Sequence, residues 1–154
     1  MKSAKILVAN GVNLDLLGRR EKDHYGTASL NDIQKDLQDL ALKFAGTLGT
    51  TEPQLTFFQS NVESEFLAML SKEWDGALIN PGAWTHTSLA LGDRLAALKL
   101  PFIEIHLSNL ARRESFRHNS YVAPHALGTI SGLGKDSYSA GLFALMTKFA
   151  NNKT

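Results

Sequence analysis

At 154 residues, with 44% hydrophobic and 20% charged, the chain is long enough for one globular domain with a proper core, and no second domain is expected. A formal net charge of +1 gives no strong field, so charge alone favours neither a nucleic-acid surface nor an anionic membrane. Cysteine is absent, which excludes disulfides and thiol chemistry, and no segment approaches the roughly 18 uninterrupted apolar residues of a membrane span.

The chain begins MKSAKILVAN, whose apolar stretch is too short for a signal peptide, so a cytoplasmic location is expected. AKILVA (4–9) reads as a buried strand. It is followed by NGVNLDLLGRREKDHYG (10–26), a connection much longer than the usual strand-to-helix link of about 2 to 6 residues. Long connections of this kind are lids, binding loops or solvated surface, and a mobile lid over about 18–26 is the expectation here. The segment 29–46 places Leu30, Ile33, Leu37, Leu40 and Phe44 at helical spacing, with Gly46 as the stop signal. Then come a strand at QLTFFQ (54–59), a helix over 61–73, a strand at GALIN (76–80) and a helix over 87–100. A strand at PFIEIH (101–106), a strand at LGTISGL (127–133) and a final helix near 136–150 complete the order. The basic run ARRESFRH (111–118) contains Glu114 and reads as a solvated helical turn.

The first, third and fourth strand candidates are near-continuous apolar runs, as parallel strands covered on both faces require. Strands alternating with helices imply right-handed crossovers and an α/β, doubly wound, five-stranded parallel sheet, with residues 1–154 as one domain. In such sheets ligands sit beyond the carboxyl ends of the strands. The tips hold Asn10, Gly11 and Asn13 after the first strand, INPGAWTHTS (79–88) at the third, and EIHLSN (104–109) at the fourth. GLGKDS (132–137) has the wrong Gly-to-Lys spacing for a phosphate loop and carries Asp136 where a magnesium-binding hydroxyl belongs, so it reads as a turn and helix start. No G-x-G-x-x-G dinucleotide fingerprint follows the first strand.

Glu104 and His106 are two apart on a strand, so they share a face while Ile103 and Ile105 take the other. A carboxylate beside an imidazole fixes its tautomer and raises its basicity, although a structurally satisfied histidine gives the same pattern. Thr85 or Thr87 is placed to cap the helix that follows, and His86 to donate to substrate hydroxyls. Asn80 with the backbone N–H groups of Leu107 and Ser108 forms a candidate neutral anion cradle. Ser88 and Ser108 lack a nucleophile elbow and HExxH spacing is missing, which disfavours covalent hydrolysis and zinc chemistry. A metal gathered by His86, Glu104 and His106 stays open as an alternative. The remaining set is acid and base without metal, nucleophile or cofactor, which suits proton abstraction beside a carbonyl followed by loss of a leaving group. Tyrosine is a poor base at neutral pH, but an adjacent guanidinium favours its phenolate, and Arg20 lies five residues before Tyr25 on the same loop.

Taken together, NGVNLDLLGRRE…YG, INPGAWTHTS, FIEIHLSN, RRESFRHNSY and the GLG turn resemble the type II 3-dehydroquinate dehydratases (type II dehydroquinases) of the shikimate pathway, over essentially the whole chain. The resemblance implies a flavodoxin-like fold and a cofactor-free anti elimination of water from 3-dehydroquinate to 3-dehydroshikimate through an enol or enolate. It implies Tyr25 as the base at C2, Arg20 as the stabiliser of its phenolate, His106 oriented by Glu104 as the acid at the C1 hydroxyl, and Asn13 as the holder of a water near the enolate oxygen. Asn80, Leu107 and Ser108 would then take the substrate carboxylate, and His86, Arg117 and Asp93 its hydroxyls, with Arg113 supporting the site. It further implies a homo-oligomer, a dodecamer built from trimers, in which Asp93 reaches a neighbour's site. Val12, Asp15 and Lys22 depart from the family pattern of proline, asparagine and proline, which predicts a less restricted lid. Two other readings share the fold: a binding module for flavin or another phosphate ligand, and an acid-base enzyme acting on a different polyol acid.

Overall fold

The apolar runs become strands close to their predicted bounds: β1 Lys5–Asn10, β2 Gln54–Gln59, β3 Gly76–Asn80, β4 Phe102–His106 and β5 Gly128–Ser131. The structure is a computed structural model and describes residues 2–19 and 21–152. Apart from Lys5, every residue of β1, β3 and β4 is buried, which is why these three read as continuous apolar runs without alternation. All neighbouring strands pair in parallel in the order β2-β1-β3-β4-β5, so the strand order reverses between β1 and β3, the flavodoxin-like arrangement.

The two faces are covered by different helices. Ile6, Val8, Leu78, Ile103 and Ile105 point toward α2 (Leu30–Leu48) and α6 (Asp136–Asn151), which bury Ile33, Leu37, Ala41, Leu142 and Leu145 against them. Leu7, Ala9, Ala77, Ile79 and Phe102 point the other way, toward Phe66 and Leu70 of α3 (Glu63–Leu70) and Leu91 and Leu95 of α5 (Leu89–Leu98). The period-two alternation of a strand thus sorts one apolar run into two cores.

Several boundaries depart from the sequence reading for identifiable reasons. α2 begins at a capping box, in which Ser29 Oγ accepts from Asp32 N (3.2 Å) and Asp32 Oδ2 accepts from Ser29 N (2.9 Å). It runs past Gly46 and ends at Gly49, whose φ of 65° lets its N–H and that of Thr50 both reach the Ala45 carbonyl. An interior glycine costs only about 1 kcal/mol, which the packing of Leu48 on the core offsets. The helix predicted over 87–100 is broken at Ser88, whose extended backbone separates the single turn α4 (Trp84–Thr87) from α5. Ser88 Oγ accepts from Leu91 N (3.0 Å), so Ser88 is the cap, and neither Thr85 nor Thr87 is. The charged run expected as irregular lid contains one helical turn, α1 (Lys22–Tyr25). Residues 111–118 form two short 3-10 turns, and Arg113 between them is buried, contrary to the expected solvated turn.

The tips of β1 and β3 stand side by side, with Asn10 in register with Asn80 and Gly11 N donating to Asn80 O (2.8 Å). A Cβ at Gly11 would run into the Pro81 carbonyl, so only glycine lets the two chains leave the sheet together. Among the described residues no helix is long and apolar enough to cross a membrane.

Candidate active site

Beyond the carboxyl ends of β1, β3 and β4 lies a cleft lined by residues from all three strand tips. Asn13, Tyr25, Asn80, His86, His106, Leu107, Ser108, Arg113 and Arg117 line it, so nine of the residues predicted from sequence converge there. Glu104 is fully buried directly behind His106. Asp93 is exposed on α5 and is not part of the cleft wall. Arg20, predicted to sit beside Tyr25, lies outside the described residues.

β4 sets the geometry of the Glu104–His106 pair. Glu104 Oε1 lies 2.8 Å from His106 Nε2, so the carboxylate requires Nε2 to carry its proton and leaves Nδ1 as the second nitrogen. Glu104 also accepts from Thr85 Oγ1 (2.7 Å) and from Ser120 Oγ (3.0 and 3.1 Å to its two oxygens). Burial pushes this carboxyl up, but the hydrogen bond and charge of His106, with the Thr85 and Ser120 hydroxyls, outweigh it and hold the carboxyl below its ordinary value of 4.5. Thr85 and Ser120 were missed from sequence. Thr85 looked like a helix cap, and nothing in the spacing ties 120 to 104.

His86 stacks on His106 at 6.3 Å and 19° between the rings. Its Nδ1 donates to the Asn119 carbonyl (2.8 Å), and partial burial is the main cause that lowers its pKa from 6.5. Nδ1 is thus committed to the backbone, and Nε2 is the ring nitrogen left for a ligand.

Arg113 supplies the guanidinium seen at Tyr25. Its Nη1 donates to Tyr25 Oη (2.7 Å) and, more weakly, to Ser108 Oγ (3.4 Å), and its guanidinium carbon lies 5.4 Å from the Tyr25 ring centroid. The Arg113 side chain is only 8% exposed, its Nε has no hydrogen-bond partner among the described residues, and the Glu114 carboxylate stands 3.7 Å from that nitrogen. A buried cation so incompletely matched directs its field at the phenolic oxygen. Arg117, at the other side of the cleft, is held through Nε by Glu114 (2.8 Å).

Asn13 adopts left-handed backbone (φ 67°, ψ 1°), a conformation asparagine tolerates better than most residues. Its N–H donates to Asn61 Oδ1 (2.8 Å), and Gln59 Nε2 bridges the same oxygen and the Gly11 carbonyl (3.2 Å each). The β2 tip therefore fixes the start of the loop, a support that sequence reading missed. On the far wall the His106 and Leu107 carbonyls accept from Gly132 and Gly134, both of positive φ, so the GLG turn pins the chain where it leaves β4. A metal held by His86, Glu104 and His106 is not supported, because among the described residues no three acidic or imidazole side chains converge to hold one.

The comparisons with known proteins agree with this geometry. The family model described as Dehydroquinase class II matches residues 4–146. The 3-dehydroquinate dehydratase of Gloeobacter violaceus is 47% identical over 146 residues, covering 93% of this chain and 87% of that protein. That of Carboxydothermus hydrogenoformans is 48% identical over 145 residues, covering 92% and 90%. The crystal structure of type II dehydroquinase from Propionibacterium acnes superposes with a TM-score of 0.80 at 38% identity, over 94% of this chain and 97% of that one. The chain belongs to the class II dehydroquinase family.

Proposed function

We propose that this class II dehydroquinase removes water from 3-dehydroquinate in an anti elimination, giving 3-dehydroshikimate through an enol or enolate and without a cofactor. The observation that carries the reading is the opposition, in one cleft, of a tyrosine held by a buried guanidinium and a histidine held by a buried carboxylate. Tyr25 takes the C2 proton, and the electrons of that bond move onto the adjacent carbonyl as an enolate. Arg20 stabilises the charge that develops on the phenolic oxygen, and Arg113, which donates to that oxygen, shares the part. When the enolate collapses, the C1–O bond breaks and His106 protonates the departing hydroxyl from Nδ1, while Glu104 stabilises the imidazolium. Asn13 holds a water at the enolate oxygen.

The substrate carboxylate rests on the Asn80 amide and the Leu107 and Ser108 N–H groups, and the hydroxyls meet His86 Nε2 and Arg117. Because Asp93 stands outside its own chain's cleft, it reaches substrate only if another copy supplies it. That requirement supports a homo-oligomer; the reading includes a dodecamer of trimers and a cytoplasmic location. Residues 1–154 work as one catalytic domain, with about 18–26 as its lid. The test is direct: chelator-treated protein is incubated with 3-dehydroquinate and the ultraviolet absorbance of the conjugated enone is followed. Steady production of the enone is expected. No turnover at high enzyme concentration would leave a binding module in its place.

A further inference from the structure

Asn10 and Asn80 end β1 and β3 as register partners, and both are buried on the face that α6 covers. Between α6 and these tips lies Tyr138, which is fully buried. Tyr138 Oη donates to Asn10 Oδ1 (2.5 Å) and accepts from Asn80 Nδ2 (2.9 Å), while Asn80 Oδ1 accepts from Gly82 N (3.1 Å). Each link has a direction. The hydroxyl has one proton, and Asn10 takes it, so Tyr138 meets Asn80 only as an acceptor. That fixes which end of the Asn80 amide is nitrogen, and Gly82 N–H fixes the other end as oxygen. One N–H of Asn80 Nδ2 then remains for the cleft that Asn80 lines.

We infer that Tyr138 is a positioning residue: through the Asn10–Tyr138–Asn80 relay it sets the Asn80 amide so that a donor, and not the carbonyl, faces an incoming carboxylate. The inference rests on the carboxylate-binding role given to Asn80 above. Full burial pushes the Tyr138 phenol up, so its proton stays in place throughout the working range. Nothing in the elimination itself needs this tyrosine, and its ring lies in the core.

The relay predicts selectivity between an anion and its neutral amide, which mere packing would not set. Binding of quinate, the substrate reduced at C3, and of its carboxamide is measured by calorimetry on wild type, Tyr138→Phe, Asn80→Ala and the double variant. Tyr138→Phe should raise the quinate Kd about tenfold, the lower end expected for a hydrogen bond to a charged group. Carboxamide binding should weaken less, because a neutral ligand gains less than a carboxylate from a held Asn80 donor. The KM for 3-dehydroquinate should rise by more than kcat falls. In the Asn80→Ala background, Tyr138→Phe should no longer change the quinate-to-carboxamide ratio. An unchanged ratio in folded Tyr138→Phe overturns the relay, as does an unchanged ratio in Asn80→Ala. Wild-type turnover tests the proposed activity separately, since the Kd ratio is read without chemistry. Should Tyr138→Phe fail to fold, Asn10→Ala carries the same test: it frees the Tyr138 proton to turn toward Asn80 and should lower the ratio likewise.

Discussion

Replacing Arg113 with methionine removes the guanidinium but keeps most of the side-chain volume, and the two consequences pull apart. With 2.7 Å between Nη1 and the Tyr25 oxygen, the attraction between a cation and a full phenolate is about 6 kcal/mol at an effective dielectric of about 20. Water entering the vacated space restores part of that. The loss should therefore fall to the size seen when one preorganised donor is removed, about 10²- to 10³-fold in kcat. KM should move far less, because the charge on Tyr25 develops only on the way to the transition state. Stability should not fall with activity. Arg113 is buried with an unpartnered Nε and no carboxylate in hydrogen-bond range, so the desolvation of its charge is incompletely offset in the resting enzyme. The melting temperature of Arg113→Met should equal or exceed that of wild type. Arg113→Lys should recover part of kcat, since an ammonium supplies charge but cannot reproduce the fork that reaches Tyr25 and Ser108 together. The assay is enone production across a substrate range, with thermal melts on the same preparations. A kcat within about threefold of wild type in Arg113→Met would refute the assignment, and a large drop in melting temperature would refute the argument from incomplete pairing.

Tyr25→Phe and His106→Ala should each lower kcat by about 10²- to 10⁴-fold with smaller effects on KM; near-normal kcat in either removes that residue from its role. Glu104 is held below its ordinary 4.5, so its contribution to stability is present above about pH 4.5 and lost as pH falls through the lower folded value. Thr85→Val with Ser120→Ala should lower the melting temperature at neutral pH and flatten its acid limb, and a limb parallel to wild type would contradict the cradle. His86 has the same sign for the opposite charge type: its folded pKa lies below 6.5, so the unfolded chain takes up the proton first and stability is lost as pH falls through that value. His86→Gln should therefore lose less melting temperature than wild type between about pH 7.5 and 5.5. For the lid, trypsin should cut first after Arg19, Arg20 or Lys22, and a bound ring carboxylate should slow that cut selectively. Equal cutting with the site demonstrably occupied would make the segment ordinary solvated surface.

The fold was legible because burial on both sheet faces leaves uninterrupted apolar runs at β1, β3 and β4, and these with two further strand patterns and the helical patterns between them admit few topologies. Helix ends were read less well. Gly46 and Gly49 both look like stops, and only the reach of the Ala45 carbonyl decides between them. The residues of the cleft were legible as polar groups at strand tips, but the contacts among them were not. Arg113 meets Tyr25 across 88 positions of sequence, a contact that no local spacing signals, and Arg20 lies outside the described residues. Thr85 and Ser120 reach Glu104 across 19 and 16 positions, and a threonine before a helix is read as a cap until the strand behind it is in place.

The proposed acid and the proposed base are mounted on different kinds of support, and the proposed reaction accounts for the difference. His106 and Glu104 belong to a central strand buried along its whole length, where their 2.8 Å contact is fixed before substrate arrives. Tyr25 ends a single helical turn whose other residues, Lys22, Asp23 and His24, are exposed, and glycines with φ of 90° and 69° stand at positions 18 and 26. Such a segment has little apolar contact of its own to hold it down, and Tyr25 is its buried anchor. In the proposed elimination the bond from Arg113 to Tyr25 would have two consequences: it would stabilise charge developing on the phenolic oxygen, and it would favour a docked lid over an open one. If Tyr25, which lines the cleft, is the base and the lid's anchor, lid opening would withdraw that base as substrate enters. Once the ring is bound, redocking returns the base and excludes water in one movement. His106 would need no such motion, because Glu104 already holds it on a buried strand.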